Sequence, residues 1–222
     1  MTKVQAKALT PDRDCALCPR LVEFRAANRA KFPDQFNAPV PAFGGLDAEL
    51  LIVGLAPGLK GANFSGRPFT GDYAGDLLYG TLLKFGFARG EFKARADDGL
   101  ELVNCRITNA VKCVPPENKP TTQETQVCMD TYLTHELAAM TSLKVILSLG
   151  LISHNAVLKA FGLKQAQYKF AHEAVHRLPS GLTLIDSYHC SRYNTQTGRL
   201  TTKMFEDVFE EIQSFLTTDE HR

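Results

Sequence analysis

Six cysteines have the most distinctive chemistry in this 222-residue chain. Cys15 and Cys18 form a C-x-x-C pair near the N-terminus, and the others stand apart at Cys105, Cys113, Cys128 and Cys190. In a reducing compartment, such cysteines are more often metal ligands or buried thiols than disulfides. We therefore interpret them as metal ligands or buried thiols.

Three further segments combine glycines with side chains that could bind or attack a substrate. The first is GLAPGLKGANFSGRPFTGDYAGD (54–76), which holds Phe69 and Asp72. In the second, Asn109 precedes KCVPPENKP, and the third is HCSRYNTQTGR (189–199). Together they supply a carboxylate, a carboxamide and an imidazole, which can exchange protons or hydrogen-bond to a ligand.

The elements that would position these segments alternate along the chain. Apolar runs predict strands at 49–56, 102–111, 144–150 and 182–188, and helical spacing predicts helices at 75–87, 121–140, 152–161 and 200–216. Thr121, Thr122 and Glu124 resemble a capping box for the second helix. Four strand–helix alternations predict the α/β class, as an α/β/α sandwich with a mainly parallel central sheet of about four strands.

Each of the three chemical segments follows a predicted strand. Sheets of this kind bind ligands outside the carboxyl ends of their strands. Loops are rich in glycine and polar residues in any case, so a single segment of this type would carry little weight. Three such segments converging on one edge predict a functional site there.

The length of the chain fits one α/β domain. We predict a single domain over residues 1–222, with a cysteine-containing N-terminal segment of about residues 1–45 packed on it. The chain shows no signal-peptide pattern and no run of eighteen apolar residues, so we expect a cytoplasmic protein without a membrane segment. We also expect it to be a monomer. The net charge of +1 neither favours nor excludes nucleic acid.

Four motifs carry a family resemblance: GLAPG, GRPFTGDYAGDLLY, ITNAVKCVPPENKP and SYHCSRYNTQTGRLT. They resemble the successive motifs of bacterial and archaeal uracil-DNA glycosylases over about residues 13–210. The chain is most similar to family 5, because its first motif ends in Ala56-Pro57-Gly58 without a polar catalytic side chain. The usual His-Pro-Ser reads His189-Cys190-Ser191 here, which removes a rigid residue but retains the imidazole and the hydroxyl.

The resemblance implies cleavage of the N-glycosidic bond between uracil, or another deaminated base such as hypoxanthine or xanthine, and deoxyribose in DNA. Such cleavage develops positive charge on the sugar and negative charge on the base. The predicted catalytic residues are Asp72, His189 and Asn109: we expect His189 to donate to a uracil carbonyl and Asp72 to orient the attacking water. Asp76 is the competing carboxylate, but it is interpreted as a capping acid in the first helical turn, where the helix dipole favours an acid. No lysine stands where it could form a Schiff base, which favours hydrolysis over a lyase reaction.

Base recognition is assigned to residues at the strand ends. The Asn109 amide can donate and accept along the base edge, and Phe69 could stack on a base flipped out of the helix. The alternatives are a turn asparagine and a core phenylalanine. The first motif adds Gly54, Ala56, Pro57 and Gly58 to the predicted substrate-binding residues.

The loop after the last strand is assigned to the DNA strand itself. Ser191 could contact phosphate, Arg192 and Arg199 offer positive charge, and Tyr193 could fill the space that the base vacates. Asn194 completes the predicted DNA-binding set. A solvated charge at a helix start is an equal alternative for Arg199.

Four of the cysteines, Cys15, Cys18, Cys113 and Cys128, fit the cluster frame of the family. Four thiolates suit either zinc or a four-iron, four-sulfur cluster. A zinc ribbon would usually show a second C-x-x-C, and the resemblance favours a structural iron–sulfur cluster. Cys105 is interpreted as a core residue and Cys190 as lining the pocket loop.

Two other classes of protein remain possible at this point. An iron–sulfur protein could transfer electrons, and a nucleic-acid-binding module could use the same strand-end loops without catalysis. Neither class explains why Phe69, Asp72, Asn109 and His189 all fall at strand ends.

Overall fold

The computed structural model of the chain describes residues 9–218. Its helices are α1 (Pro19–Lys31), α2 (Ala62–Ser65), α3 (Tyr73–Lys84), α4 (Thr122–Cys128), α5 (Thr134–Ala139), α6 (Leu151–Ala160), α7 (Arg192–Gln196) and α8 (Thr202–Thr218). Its strands are β1 (Leu50–Gly54), β2 (Ala88–Arg89), β3 (Glu101–Leu102), β4 (Cys105–Asn109), β5 (Val145–Leu149), β6 (Val175–Arg177) and β7 (Thr183–Ser187). The two ends of the predicted domain, 1–8 and 219–222, lie outside the described residues.

The central sheet has the strand order β4-β1-β5-β7-β6. The four strands β4, β1, β5 and β7 are parallel, as predicted, and β6 adds an antiparallel edge that the sequence did not predict. Strand β6 has only three residues, and its side chains are half-buried or exposed, so it has no apolar run to reveal it. Strands β2 and β3 form a separate antiparallel hairpin, in which each strand contributes two paired residues.

Alternating side chains of β1 pack into apolar layers on both faces of the sheet. Leu50 and Ile52 face one layer, with α3 and α8, and Leu51 and Val53 face the other, with α6 and the segment around Leu133. All four β1 side chains are fully buried. The predicted α/β/α sandwich is therefore confirmed, and no helix within residues 9–218 is long and apolar enough to cross a membrane.

Two predicted elements are interrupted. The strand predicted over 102–111 breaks at Asn104, whose φ of 48° is left-handed, and continues as β4. The helix predicted over 121–140 runs from α4 to α5 through a π-helical turn, Met129–Leu133. Its capping box is confirmed, because the Thr121 side chain accepts from the Glu124 N–H and the Glu124 carboxylate accepts from the Thr121 N–H.

Candidate active site

A cavity of about 490 Å³ opens at the carboxyl edge of the sheet, where β1, β4 and β7 end. All three chemical segments of the sequence contribute to its wall, which confirms that they converge. The lining residues are Leu55, Ala56, Gly58, Ala62, Phe69, Gly71, Asp72, Tyr73, Ala74, Asn109, Asn118, His189, Ser191 and Arg192.

Asn109 and Phe69 meet at Gly54. Gly54 and Asn109 are the last residues of two paired strands and lie side by side in the sheet. A Cβ atom on Gly54 would collide with Asn109 Oδ1 and lie 2.6 Å from Phe69 Cζ. Only a glycine at this position lets the Phe69 ring and the Asn109 amide approach the end of β1 together.

The Asn109 side chain is 3 % exposed, yet its amide has no hydrogen-bond partner among residues 9–218. The amide is not among the fully enclosed unpaired groups, which are Asn28 Nδ2 and His172 Nε2 in the described residues, so its atoms reach the cavity space. Because Asn109 lines the cavity, its unpaired donor and acceptor are available to a ligand.

The His189 ring lies beside Phe69, with ring centroids 5.9 Å apart. Burial lowers the pKa of His189 to about 4, so the imidazole is neutral at physiological pH. Its ring nitrogens have no hydrogen-bond partner among the described residues. The loop that carries His189 is held through its main chain, because the side-chain amide of Asn194 donates to the His189 backbone carbonyl at 2.8 Å.

Asp72 lies at the N-terminus of α3. Its carboxylate accepts from the Gly75 N–H at 3.3 Å, so Asp72 rather than Asp76 is the N-cap residue, while the predicted place of Asp76 in the first helical turn is confirmed. Asp76 lies in the first turn, where an acid complements the helix dipole. Burial raises the pKa of Asp72, against the lowering effect of backbone hydrogen bonds.

The first motif packs closely around the Asp72 carboxylate. A Cβ atom on Gly58 would lie 3.0 Å from Asp72 Oδ2, and one on Gly61 would collide with it. Of the four first-motif residues predicted to bind substrate, Ala56 and Gly58 belong to the cavity wall, whereas Gly54 and the buried Pro57 do not. The glycines thus allow the carboxylate to sit against the β1–α2 loop.

Three predicted DNA-binding residues, Ser191, Arg192 and Tyr193, follow the cavity residue His189 closely in the chain. Ser191 caps α7 by accepting from the Asn194 N–H, and Arg192 lies 5.5 Å from the centroid of the Tyr73 ring. Tyr193 is 72 % exposed, which is unusual for a large aromatic residue. Ser191 and Arg192 also line the cavity.

Arg199 lies further along the same segment, outside the cavity wall. Its guanidinium packs 4.5 Å from the Tyr188 ring centroid. Asn194 likewise has a structural contact, through its bond to the His189 carbonyl. Both residues therefore support the loop that carries His189.

Asn118 and Tyr73 line the cavity but were not predicted as site residues. Asn118 and its neighbour Glu117 both have φ values of 55°, in the left-handed region that asparagine tolerates best among non-glycine residues. The Pro-Pro-Glu-Asn sequence could have indicated such a turn. Its approach to the cavity depends on tertiary structure.

A second, smaller pocket is lined by Cys15, Cys18, Cys113 and Cys128. None of the four forms a disulfide. Three donors point at the sulfur atoms: the Lys112 N–H at 3.2 Å from Cys128 Sγ, the Arg25 guanidinium at 3.8 Å from Cys113 Sγ, and the Tyr132 hydroxyl at 3.6 Å from Cys15 Sγ. The pocket thus brings four thiols together and surrounds them with hydrogen-bond donors.

The other two cysteines lie away from that pocket. Cys105 is buried in β4, as predicted for a core residue. Cys190 is fully buried among apolar side chains and is not part of the cavity wall, so its predicted place on the pocket lining was wrong.

His154, His176 and Asp186 have the composition of a metal site, with ligand-type atoms within 4.8 Å of one another. These atoms are already hydrogen-bonded to each other: His154 Nδ1 lies 2.8 Å from Asp186 Oδ1, and His176 Nε2 lies 3.1 Å from Asp186 Oδ2. Ser148 also donates to Asp186 at 2.6 Å. We interpret the cluster as a structural network that joins β7 to α6 and β6.

Comparisons with known proteins identify the family of this chain. Residues 41–213 match the family model of the uracil DNA glycosylase superfamily. A type-5 uracil-DNA glycosylase of Thermus thermophilus is 44% identical over 204 residues, covering 90% of this chain and 92% of that protein. A type-5 uracil-DNA glycosylase of Pyrobaculum aerophilum is 38% identical over 199 residues, covering 88% and 86%.

A type-4 uracil-DNA glycosylase of Pyrobaculum aerophilum is 36% identical over only 124 residues, or 55% of each chain. The type-5 proteins therefore match along nearly the whole chain, and the type-4 protein matches along about half of it. On the strength of the family model and these full-length relatives, the chain belongs to the uracil-DNA glycosylase superfamily, in its type-5 branch.

Proposed function

We propose that this protein is a monofunctional DNA glycosylase, which hydrolyses the N-glycosidic bond of uracil in DNA and so starts base excision repair. One observation carries the proposal most directly. A single cavity holds an unpaired amide and an unpaired, neutral imidazole beside an aromatic ring, together with a half-buried carboxylate. These groups match the base and sugar sides of the reaction.

Recognition of the base is assigned to Asn109 and Phe69. A base inside a duplex cannot reach this cavity, so the nucleotide must first be flipped out. The Phe69 ring then offers a stacking surface, and the Asn109 amide can pair with both a donor and an acceptor on the uracil edge. Gly54 keeps the two side chains in reach of the same base.

His189 stabilises the departing base. Negative charge develops on the uracil oxygen as the glycosidic bond breaks, and a fixed donor near that oxygen lowers the barrier. Since burial keeps the imidazole neutral, His189 donates an N–H without supplying a full positive charge. The Asn194 bond to the His189 backbone holds the donor in place.

Asp72 acts on the sugar side. Its carboxylate can orient a water molecule towards the anomeric carbon and favour the positive charge that develops on the sugar. The N-cap bond to Gly75 holds the side chain in one orientation. None of the described lining residues is a lysine, which supports direct hydrolysis rather than a covalent lyase step.

The DNA strand would run across the mouth of the cavity. Ser191 and Arg192 can contact phosphates, and the exposed Tyr193 ring can occupy the space that the flipped base leaves. Arg199 and Asn194 contribute by holding this loop. We also propose that hypoxanthine and xanthine are substrates, because they present similar carbonyl edges to Asn109 and His189.

We further propose that Cys15, Cys18, Cys113 and Cys128 hold a four-iron, four-sulfur cluster. The four thiols and the donors around them fit such a group, whose chemistry here would be to bind and cross-link the chain. Cys113 lies four positions after Asn109 in the sequence. A cluster bound by Cys15, Cys18 and Cys113 would therefore tie the N-terminal segment to the chain next to the amide that reads the base. We place the enzyme in the cytoplasm, since free thiols suit a reducing compartment, and we propose that it acts as a monomer.

The test is incubation with oligonucleotides that carry one uracil, hypoxanthine, xanthine or normal base, in single and double strands, followed by alkaline cleavage at abasic sites. We expect cleavage at uracil and no cleavage of the normal-base control. An Asn109→Ala and Asp72→Asn double variant purified in the same way controls for contaminating glycosylase. Failure to produce abasic sites from uracil in any strand context would refute the proposal.

A further inference from the structure

The guanidinium of Arg67 is enclosed within the protein although it lies only two residues before Phe69. Arg67 is 5 % exposed, and its two terminal nitrogens donate to the two oxygens of Asp98 at 2.8 and 2.7 Å. Its Cζ atom lies between 5.2 and 5.7 Å from the ring centroids of Phe43, Tyr79 and Phe92. An ion pair closed in by three rings has one geometry, because planar guanidinium groups bind carboxylates in a fixed fork.

Asp98 is as strongly fixed as its partner. Its side chain is fully buried, and it also accepts from the Lys93 and Leu100 N–H groups at 3.0 Å each. The Arg67 guanidinium holds the pKa of the Asp98 carboxyl far below its ordinary value, so this carboxyl is ionised at physiological pH. The β2–β3 connection is thereby joined to the loop that carries Phe69.

The backbone on both sides of Phe69 is held by side chains. Tyr79 Oη donates to the Pro68 carbonyl at 2.7 Å, and Arg67 Nε donates to Thr70 Oγ1 at 2.8 Å. Ser65 Oγ donates to the Thr70 carbonyl at 2.9 Å. Arg67 therefore contacts Asp98 with one end of its guanidinium and the Phe69 loop with the other.

Such bracing matters because Phe69 has a backbone φ of 52°. Left-handed backbone is unfavourable for a bulky residue and persists only where the surroundings enforce it. If the flanking residues relaxed, the ring would move away from Gly54 and His189, which it now contacts. The position of the ring in the cavity thus depends on contacts outside the cavity.

We propose that Arg67 and Asp98 are positioning residues for base recognition, which act by holding Phe69 in its left-handed conformation. The inference rests on the proposed function, because it takes Phe69 to be the surface on which uracil stacks. The proposal gives the 89–100 segment a role in base recognition although none of its residues lines the cavity.

The test uses Asp98→Asn, which keeps the shape of the side chain but removes its charge. Arg89→Gln is the matched control, because it breaks the exposed Arg89–Glu101 ion pair of the neighbouring β2–β3 hairpin. We expect Asp98→Asn to raise the inhibition constant of free uracil about tenfold, within the range of base–aromatic stacking. Binding to abasic-site DNA, which offers no base to stack, should change by less than about twofold, and Arg89→Gln should change neither quantity.

A double-mutant cycle with Phe69→Ala separates positioning from general stability. If Asp98 acts through Phe69, the Asp98→Asn substitution should add little to the loss in uracil affinity and single-turnover excision already caused by Phe69→Ala. Full additivity, or an equal loss of abasic-DNA binding, would overturn the inference. A fully active Phe69→Ala enzyme would instead refute the stacking role in the proposed function.

If Asp98→Asn shows no cooperative thermal unfolding and so is not properly folded, Arg67→Lys provides an independent test. Lysine keeps the positive charge but cannot bind Asp98 and Thr70 in the same fork. The same pattern is expected: weaker inhibition by uracil, unchanged abasic-DNA binding and non-additivity with Phe69→Ala. A folded Arg67→Lys enzyme with wild-type uracil inhibition would overturn the inference.

Discussion

The rings of Phe69 and His189 lie 5.9 Å apart with their planes tilted by 30°, although the two residues belong to loops 120 positions apart in the sequence. This relationship places the proposed stacking surface and the proposed base-side donor on the same wall of the cavity. Gly54 lies behind the Phe69 ring and has no side chain to displace it.

Substitution of Gly54 should therefore disable the site. In Gly54→Ala the new Cβ atom would collide with Asn109 Oδ1 and lie 2.6 Å from Phe69 Cζ. A displacement of this kind can cost about a hundredfold in rate. Single-turnover excision of uracil measures the loss, and Gly80→Ala, whose Cβ would meet nothing within 4 Å, is the control. Equal activity of the two variants would contradict the described packing.

Removal of the Asp72 carboxylate should slow chemistry more than binding. We expect Asp72→Asn to lower the excision rate at least about a hundredfold, as for other positioned acid–base groups, and to leave binding to abasic DNA nearly intact. Asparagine caps helices as well as aspartate does, so this variant retains the N-cap of α3. Asp76→Asn should keep full activity. A fully active Asp72→Asn enzyme would remove Asp72 from the mechanism.

The pH dependence should follow Asp72 on the acid side. Since burial raises the pKa of Asp72, the active carboxylate form is lost at a higher pH than for an ordinary aspartate. Since the pKa of His189 is lowered to about 4, the neutral donor persists throughout the neutral range. The excision rate should thus be flat near neutrality and fall as the pH is lowered, and Asp72→Asn should lose that fall. A rate that rises as the pH falls through about 6.5, the ordinary histidine value, would indicate an imidazolium donor instead.

Base selection should change in Asn109→Asp. A carboxylate only accepts hydrogen bonds, whereas the amide both donates and accepts. We expect weaker excision of uracil and new excision of cytosine, whose exocyclic amine can donate to the carboxylate. The measurement compares the excision rates of wild type and variant on oligonucleotides that carry uracil or cytosine at one position, and gives the uracil-to-cytosine rate ratio of each. An unchanged ratio would place Asn109 outside the base-reading contacts.

The cysteine site should give a coloured protein. We expect the purified enzyme to be yellow-brown with broad visible absorbance, and Cys113→Ser to lose both the colour and much of the folding stability, because metal binding contributes directly to folding. Cys105→Ala, which alters a buried cysteine of β4, should keep the colour. Iron, sulfide and zinc analysis provides the check. A colourless wild-type protein with stoichiometric zinc would contradict the iron–sulfur assignment.

The sequence alone determined the main elements of the fold. The apolar runs at 49–56, 144–150 and 182–188 became β1, β5 and β7, and the Thr121–Glu124 capping box starts its helix where predicted. These patterns are local, since strand runs and helix caps depend on residues a few positions apart. The convergence of Asp72, Asn109 and His189 was also predictable, because parallel strands bring their carboxyl ends to one edge of a sheet.

Only the tertiary structure decided how each side chain is used. In the folded chain Asp72 rather than Asp76 is the N-cap of α3, and the Cys190 side chain lies in the apolar core instead of lining the cavity. The tertiary structure also paired Arg67 with Asp98, 31 positions away, and brought Asn118 to the cavity. Sequence patterns report which face of an element is apolar. The partners of a polar side chain depend on which distant loops pack beside it, and that is set by the assembled fold.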